Sequence, residues 1–282
     1  MQSTLPVIDQ HGKRAQSRKY LDSLEIVVIV NDELDIISHS PNPTVETTGS
    51  FMGIPLTSLQ NPKVHGGATK QMRMDSICCG AHGLFLMITV PSGDAKNVLL
   101  FDARIEAGVF EKNVKRLLTD LGAVEHIHLS HYHRDHSGGL FKAIRMINNA
   151  NPSREKAIID VHPNRPDFRG NDAGFPIILE PDPSSDEIEL AGGILNKSCD
   201  AHMVMNNTLF ISGEIPRVTH YENGIPGGIR LDPIIGKWLK DEDIMEERFV
   251  MLVLGVPLYA VIGGYQLADA DSEKIEKTVR NF

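Results

Sequence analysis

The stretch His128–Leu140 reads HLSHYHRDHSGGL and places His131, His133, Asp135 and His136 within six residues. Three imidazoles and a carboxylate at this spacing are a dense supply of metal ligands, since both groups bind zinc, iron or manganese at ~2.0–2.2 Å. On a loop that follows a strand, His131 and His133 point to one side while Asp135 and His136 turn toward a neighbouring point. One loop then feeds two adjacent sites. Two ions ~3.5–4 Å apart can activate a bridging water and stabilise both the attacking and the leaving oxygen. The alternative is a solvated, hydrogen-bonded loop that holds no metal.

The elements that must carry this loop are legible around it. Leu24–Val30 is a β-branched run and reads as the first buried strand. Leu84–Val90, a turn at Pro91-Ser-Gly-Asp and Asn97–Asp102 read as a hairpin entering the core sheet. Phe110–Leu121 spaces Phe110, Val114, Leu117, Leu118 and Leu121 at helical intervals, with Gly122 as the stop. A strand at Ile127–Leu129 leads into the histidine loop, and a helix from about Gly139 to Asn148 leaves it. Ala157–Val161 and Leu209–Ile211 read as strands, Phe249–Gly264 as two buried strands, and Ser272–Arg280 as an amphipathic helix. Asp241–Arg248 (DEDIMEER) reads as a charged helix start with a solvated face. Residues 39–76, rich in proline and glycine, read as a long loop folding over the site. Strands alternating with helices argue α/β layering. No linker divides the chain, so a polar extension (1–23) precedes one domain (24–282).

Composition narrows the class. The 282 residues are 41% hydrophobic and 23% charged, values that exclude wholesale disorder, collagen and coiled coil. A net charge of −9 argues against a nucleic-acid partner. The 249–264 run is shorter than the ~20 residues of a membrane-spanning helix and holds Pro257, so no membrane is expected. The three cysteines, Cys78, Cys79 and Cys199, suit no disulfide framework. With no apolar leader in 1–23, the expected location is the cytoplasm.

His-x-His-x-Asp-His at 131–136 resembles the signature of the metallo-β-lactamase fold superfamily. AHGLFLMIT (81–89), VLLFDA (98–103), VHP (161–163), LFISGEIPRVT (209–219) and VIGGYQLADA (261–270) extend the resemblance in order. They are similar to the branch that includes the dihydropterin-ribofuranosylaminobenzene phosphate synthases and many metal-dependent hydrolases. The resemblance implies a four-layer αββα sandwich with a metal cleft along one edge. It implies that His131 and His133 serve a first metal and Asp135 and His136 a second, where Asp135 also orients or deprotonates water. It gives Asp102 the task of bracing the histidine loop.

Three departures from that pattern matter. The branch carries a Gly-Cys-Ser-His segment on a later strand, yet Asp243–Leu267 contains no histidine, and a strand–helix unit's worth of residues is missing there. Gly263-Gly264-Tyr265-Gln266 stands where the branch has a Gly-Gly-Phe-His ligand. Arg104 follows Asp102-Ala103 where the branch has glycine. A catalytic zinc normally takes three protein ligands, so these losses predict at most one weakly held ion, zinc or else iron or manganese. His162, His202, Arg104 and Gln266 are the candidate substrate-binding residues, with Glu214 and His220 behind them. The expected function is a hydrolase acting on a small ester, lactone, thioester or phosphoester. The alternatives are a degenerate lyase, isomerase or cyclase using His133, His136 and Arg104, or a non-catalytic binding protein. A sheet short of one unit also leaves a homo-oligomer open.

Overall fold

The computed structural model describes residues 23–31, 56–73, 77–92, 95–103, 107–218, 220, 224–254 and 258–262. β1 (Glu25–Val30) is followed by a small hairpin, β2 (Leu56–Ser58) and β3 (Lys70–Met72), and then by β4 (Phe85–Ser92) and β5 (Ala95–Phe101). Helix α1 (Ala107–Leu117) leads to β6 (Val124–His128), the single turn α2 (Arg134–Ser137), α3 (Leu140–Ala150) and β7 (Ile158–Val161). β8 (Arg169–Asp172), β9 (Pro176–Ile178), α4 (Ser185–Leu190), β10 (Ile194–Lys197), β11 (His202–Val204) and β12 (Leu209–Ile211) come next. The last strands are β13 (Gly228–Asp232), β14 (Lys237–Lys240), β15 (Val250–Leu254) and β16 (Leu258–Ile262).

Six strands form one sheet in the order β1-β4-β5-β6-β7-β10, and four form a second in the order β11-β12-β15-β16. The side-chain alternation of β4 shows how they stack. Phe85 and Met87 join a core with Phe110 and Val114 of α1, Ile144 and Ile147 of α3 and Ile188 of α4. Leu86, Ile88 and Val90 instead meet Leu209, Ile211, Val250 and Leu252 of the second sheet. Successive residues of a strand face opposite ways, so an apolar run with both faces covered becomes the wall between two cores. Phe85 and Phe110 stack with ring centroids 4.7 Å apart, which locks α1 onto the sheet. The described residues thus build helices, sheet and sheet in that order; the 272–280 helix expected to cover the far side lies outside them, as does the 1–23 extension.

Three local readings change. Helix α1 stops at Leu117, ahead of Gly122, because Leu118 takes the left-handed conformation at φ 54° and stays exposed. Asp241–Arg248 forms no helix, and Glu246, Glu247 and Arg248 are all buried. Arg169 lies against Asp241 and Glu246, and Arg248 against Asp160, so partners distant in sequence draw these charges inside. Of the 39–76 segment, only 56–73 is described. It forms the exposed β2–β3 hairpin, and the rest of the segment expected to fold over the site lies outside the described residues. A third sheet, β14-β13-β8-β9, was not foreseen.

Candidate metal centre

β5, β6 and β7 run parallel, so their carboxyl ends share one edge of the sheet, where α/β proteins gather their ligand-binding residues. Asp102 ends β5 and the histidine loop ends β6. Main-chain bonds stitch the two together: Asp102 N–H donates to His128 O, Ala103 N–H to His136 O and Gly139 N–H to Ala103 O. Asp102 sits at φ 63°, a left-handed conformation that aspartate tolerates better than most residues. That turn aims its fully buried carboxylate back into the loop.

Asp102 is the hub. Its Oδ1 accepts the Ser130 N–H at 2.7 Å, and its Oδ2 accepts the Ser130 hydroxyl at 3.0 Å and the His136 Nδ1–H at 2.6 Å. With the Ser130 proton committed to Asp102, Ser130 Oγ accepts the Nδ1–H of His131 at 3.0 Å. Both rings therefore turn Nε2 outward, the arrangement in which a carboxylate or hydroxyl orients a ligating histidine. The His131 ring lies 4.7 Å from His133 and 4.3 Å from His136, centroid to centroid. Asp135 Oδ2 lies 3.4 Å from His136 Nε2 and also 3.4 Å from His82 Nε2. His82, just ahead of β4, is a neighbour of the site that sequence reasoning missed. Its position in Ala81–Thr89, among the stretches that carry the resemblance, was the available signal.

Along the sequence the chain is similar to the 7,8-dihydropterin-6-methyl-4-(β-D-ribofuranosyl)-aminobenzene-5′-phosphate synthase of Methanocaldococcus jannaschii. They are 28% identical over 253 residues, which cover 79% of this chain and 83% of that protein. The described residues form a mixed α/β fold of stacked sheets with few helices. Solved neighbours include MEM-A1, a subclass B3 metallo-β-lactamase from a soil metagenome library, at 14% identity and a TM-score of 0.33, covering 64% of this chain and 56% of that one. Metallo-β-lactamase MIM-1 from Novosphingobium pentaromativorans is another, at 16% identity and a TM-score of 0.31, covering 70% and 64%. The chain therefore spans less than two thirds of the length of either lactamase. No family model matches the chain.

Charge divides the histidines of the loop. Burial, with the neighbouring His136, His133 and Arg169, holds His131 far below the usual imidazole range. Burial, with Arg169 adding, holds His133 down to about 4. Both rings are thus neutral, as ligation requires. His136 is the exception: burial opposes its charge, but Asp102 and Asp135 outweigh burial and raise it to about 10. Asp135 goes the other way, down to about 2, because His136 and His133 outweigh its burial. His131 Nε2 is buried with no hydrogen-bond partner. A buried imidazole lone pair left this way is the kind of donor a metal ion uses. Among the described residues no group of three or more His, Cys, Asp or Glu side chains is placed to hold a metal ion as it stands.

The remaining candidates divide. His162 is buried; its Nδ1 accepts the Asn164 N–H at 3.1 Å, so Nε2 carries the proton and lies 3.2 Å from Glu214 Oε1. Tyr132 donates its hydroxyl to the His162 carbonyl at 2.7 Å, which ties this pair to the histidine loop. His202 points elsewhere, with Nε2 2.8 Å from Asp160 Oδ2 and Nδ1 2.9 Å from the Asp200 carbonyl. Arg217 turns inward to the Asp243 carbonyl. Arg104 and Gln266 lie outside the described residues, and His220 is exposed.

Ser137, which follows His136, donates to the buried carboxylate of Asp182. Burial raises Asp182 to about 6, against that bond and the charges of Arg169, Arg165 and Arg134. The unfolded group titrates near ~3.9, so the folded state holds the proton more tightly. Its stabilising effect is present below about pH 4 and lost as pH rises to about 6, a swing on the order of 3 kcal/mol. An Asp182→Asn variant should gain stability relative to wild type across that window. Paired urea melts between pH 4 and 7 measure it, and a flat difference would contradict the assignment.

Proposed function

We propose that the chain is a single-metal enzyme that hydrolyses a small organic ester, lactone, thioester or phosphoester. The observation that carries this reading is the Asp102–Ser130–His131 and Asp102–His136 network, which turns two Nε2 atoms outward beside His133 and Asp135. His131 and His133 would hold the ion with Asp135 beside them, and His136 would join them on releasing its Nε2 proton. A bound divalent cation supplies a water acidified toward a pKa of ~7 and polarises the substrate. Asp135 is ionised and accepts a proton at Oδ2. Glu214, half exposed and aligned by His162, presents a carboxylate to a donor on the substrate, and Arg230, anchored to Asn164 Oδ1 at 3.1 Å, offers a cation for an anionic group.

The name of the archaeal relative describes a synthase of a dihydropterin-methyl-ribofuranosylaminobenzene phosphate. That name favours a second reading, in which the same loop serves a group-transfer step on a phosphate-bearing substrate. The test is turnover of aryl esters, lactones, thioesters and phosphodiesters by protein loaded with zinc, iron or manganese. The hydrolase reading expects at least one class to be cleaved, with activity falling by about 100-fold or more in His133→Ala, as loss of an ion-holding group implies. No cleavage of any class, or cleavage that His133→Ala leaves unchanged, would overturn it.

A further inference from the structure

Main-chain groups of Leu129, Ser130 and Tyr132 are each held by a group outside the loop. Arg248 donates through NH2 to Leu129 O at 3.3 Å and through its main-chain N–H to Ser130 O at 2.9 Å. Arg169, the first residue of β8, donates NH1 to the carbonyl of Tyr132, the residue between His131 and His133. The rest of that guanidinium is occupied: Nε and NH2 each lie 2.8 Å from Asp241 Oδ2, and NH2 lies 2.7 Å from Glu246 Oε1. Arg169, Asp241 and Glu246 are all nearly or fully buried. The unforeseen third sheet thereby brings one planar fork to one loop carbonyl. The Tyr132 carbonyl lies in the Tyr132–His133 peptide plane, so holding it fixes that plane and the backbone from which the His133 side chain departs.

We propose that Arg169 is a positioning residue for the metal loop, setting the direction of the His133 ring through the Tyr132 carbonyl, with Asp241 and Glu246 setting Arg169. The inference deepens the metal-site reading and rests on it for its cobalt arm alone. A lysine keeps the charge that Asp241 and Glu246 face but lacks the planar fork, so charge and geometry separate.

The test uses the full chain, metal-free, as wild type, Arg169→Lys and the triple variant R169Q/D241N/E246Q, which leaves no carboxylate of this trio uncompensated. Long-range 1H–15N spectra of the imidazoles report ring environment, and Co2+ titration followed by visible absorption reports ligation. In both variants the His133 ring signals should shift while those of His126 and His202, which belong to the Asp160 cluster, stay in place. Co2+ affinity should fall about 10–100-fold with altered visible bands, the range seen when groups orienting metal ligands are removed. If wild type takes up no Co2+, the metal reading fails and the ring signals alone decide the positioning role. A folded triple variant with unmoved His133 signals would overturn it, as would Co2+ affinity within about twofold of a Co2+-binding wild type, well short of the cost of losing a positioning group.

Discussion

Replacing Asp102 by alanine is expected to lower metal affinity by about 10–100-fold, because the carboxylate orients both outward-facing Nε2 atoms. Asp102→Ala removes the acceptor of the Ser130 N–H, of the Ser130 hydroxyl and of His136 Nδ1–H in one step. The raised His136 then carries a buried charge without its partner, and breaking such a pair costs about 3–5 kcal/mol. Urea denaturation measures that cost, and equilibrium dialysis against Zn2+ measures the affinity. Asp102→Asn separates the two effects. It keeps volume and an acceptor but loses the charge that holds His136 in its orientation, so the affinity loss should persist while less stability is lost. A variant that folds with wild-type stability and binds Zn2+ as tightly would show that Asp102 braces nothing.

The second large effect lies deeper. Asp160, on β7, is fully buried, and Arg248 NH1 lies 2.6 Å from its Oδ1. Its Oδ2 lies 2.8 Å from His202 Nε2 and accepts Asn196 Nδ2–H at 2.6 Å. Burial opposes its ionisation, but His126, His128, His202 and Arg248 hold the carboxyl far below the usual range. β7 belongs to the first sheet and β11 to the second, and Arg248 stands two residues ahead of β15 of that second sheet, so this cluster clasps the sandwich. Asp160→Ala leaves the Arg248 guanidinium buried and unpaired, and about 3–5 kcal/mol of stability should go with it. Because Arg248 also holds Leu129 O and Ser130 O, the histidine loop should loosen too. Asp160→Leu combined with Arg248→Met should recover much of the loss, since replacing both charges of a buried pair by apolar groups is often close to neutral. Thermal and urea melts of the two variants decide it; an Asp160→Ala protein as stable as wild type would contradict the clasp.

Legibility in the sequence followed the range of the interactions. β4 and β5 were readable because strand alternation is local, and FLMITV carries both of its faces in six residues. The histidine loop was readable because its chemistry sits in one short stretch. Asp241–Arg248 was misread because eight residues with six charges look solvated until Arg169 and Asp160 are placed beside them. The third sheet was hidden for a different reason. Its strands read RGND, PII, GIRLD and KWLK, with glycine, asparagine and proline where β-branched residues would have signalled a strand. His126 and His128 passed unnoticed because a single histidine on a buried strand gains meaning only from Asp160, more than thirty residues away in the chain.

The measurement that bears most directly on the central claim is metal stoichiometry. Full-length protein, dialysed to equilibrium against micromolar Zn2+ and analysed by elemental mass spectrometry, should hold one equivalent per chain. That equivalent should leave on mild chelation and should be absent from a His131→Ala, His133→Ala double variant that remains folded. Two equivalents that survive chelation would show that ligands beyond His131, His133, Asp135 and His136 complete a dinuclear centre. No bound metal in folded wild type, or one equivalent that the double variant retains, would show that this loop is not where the chemistry resides.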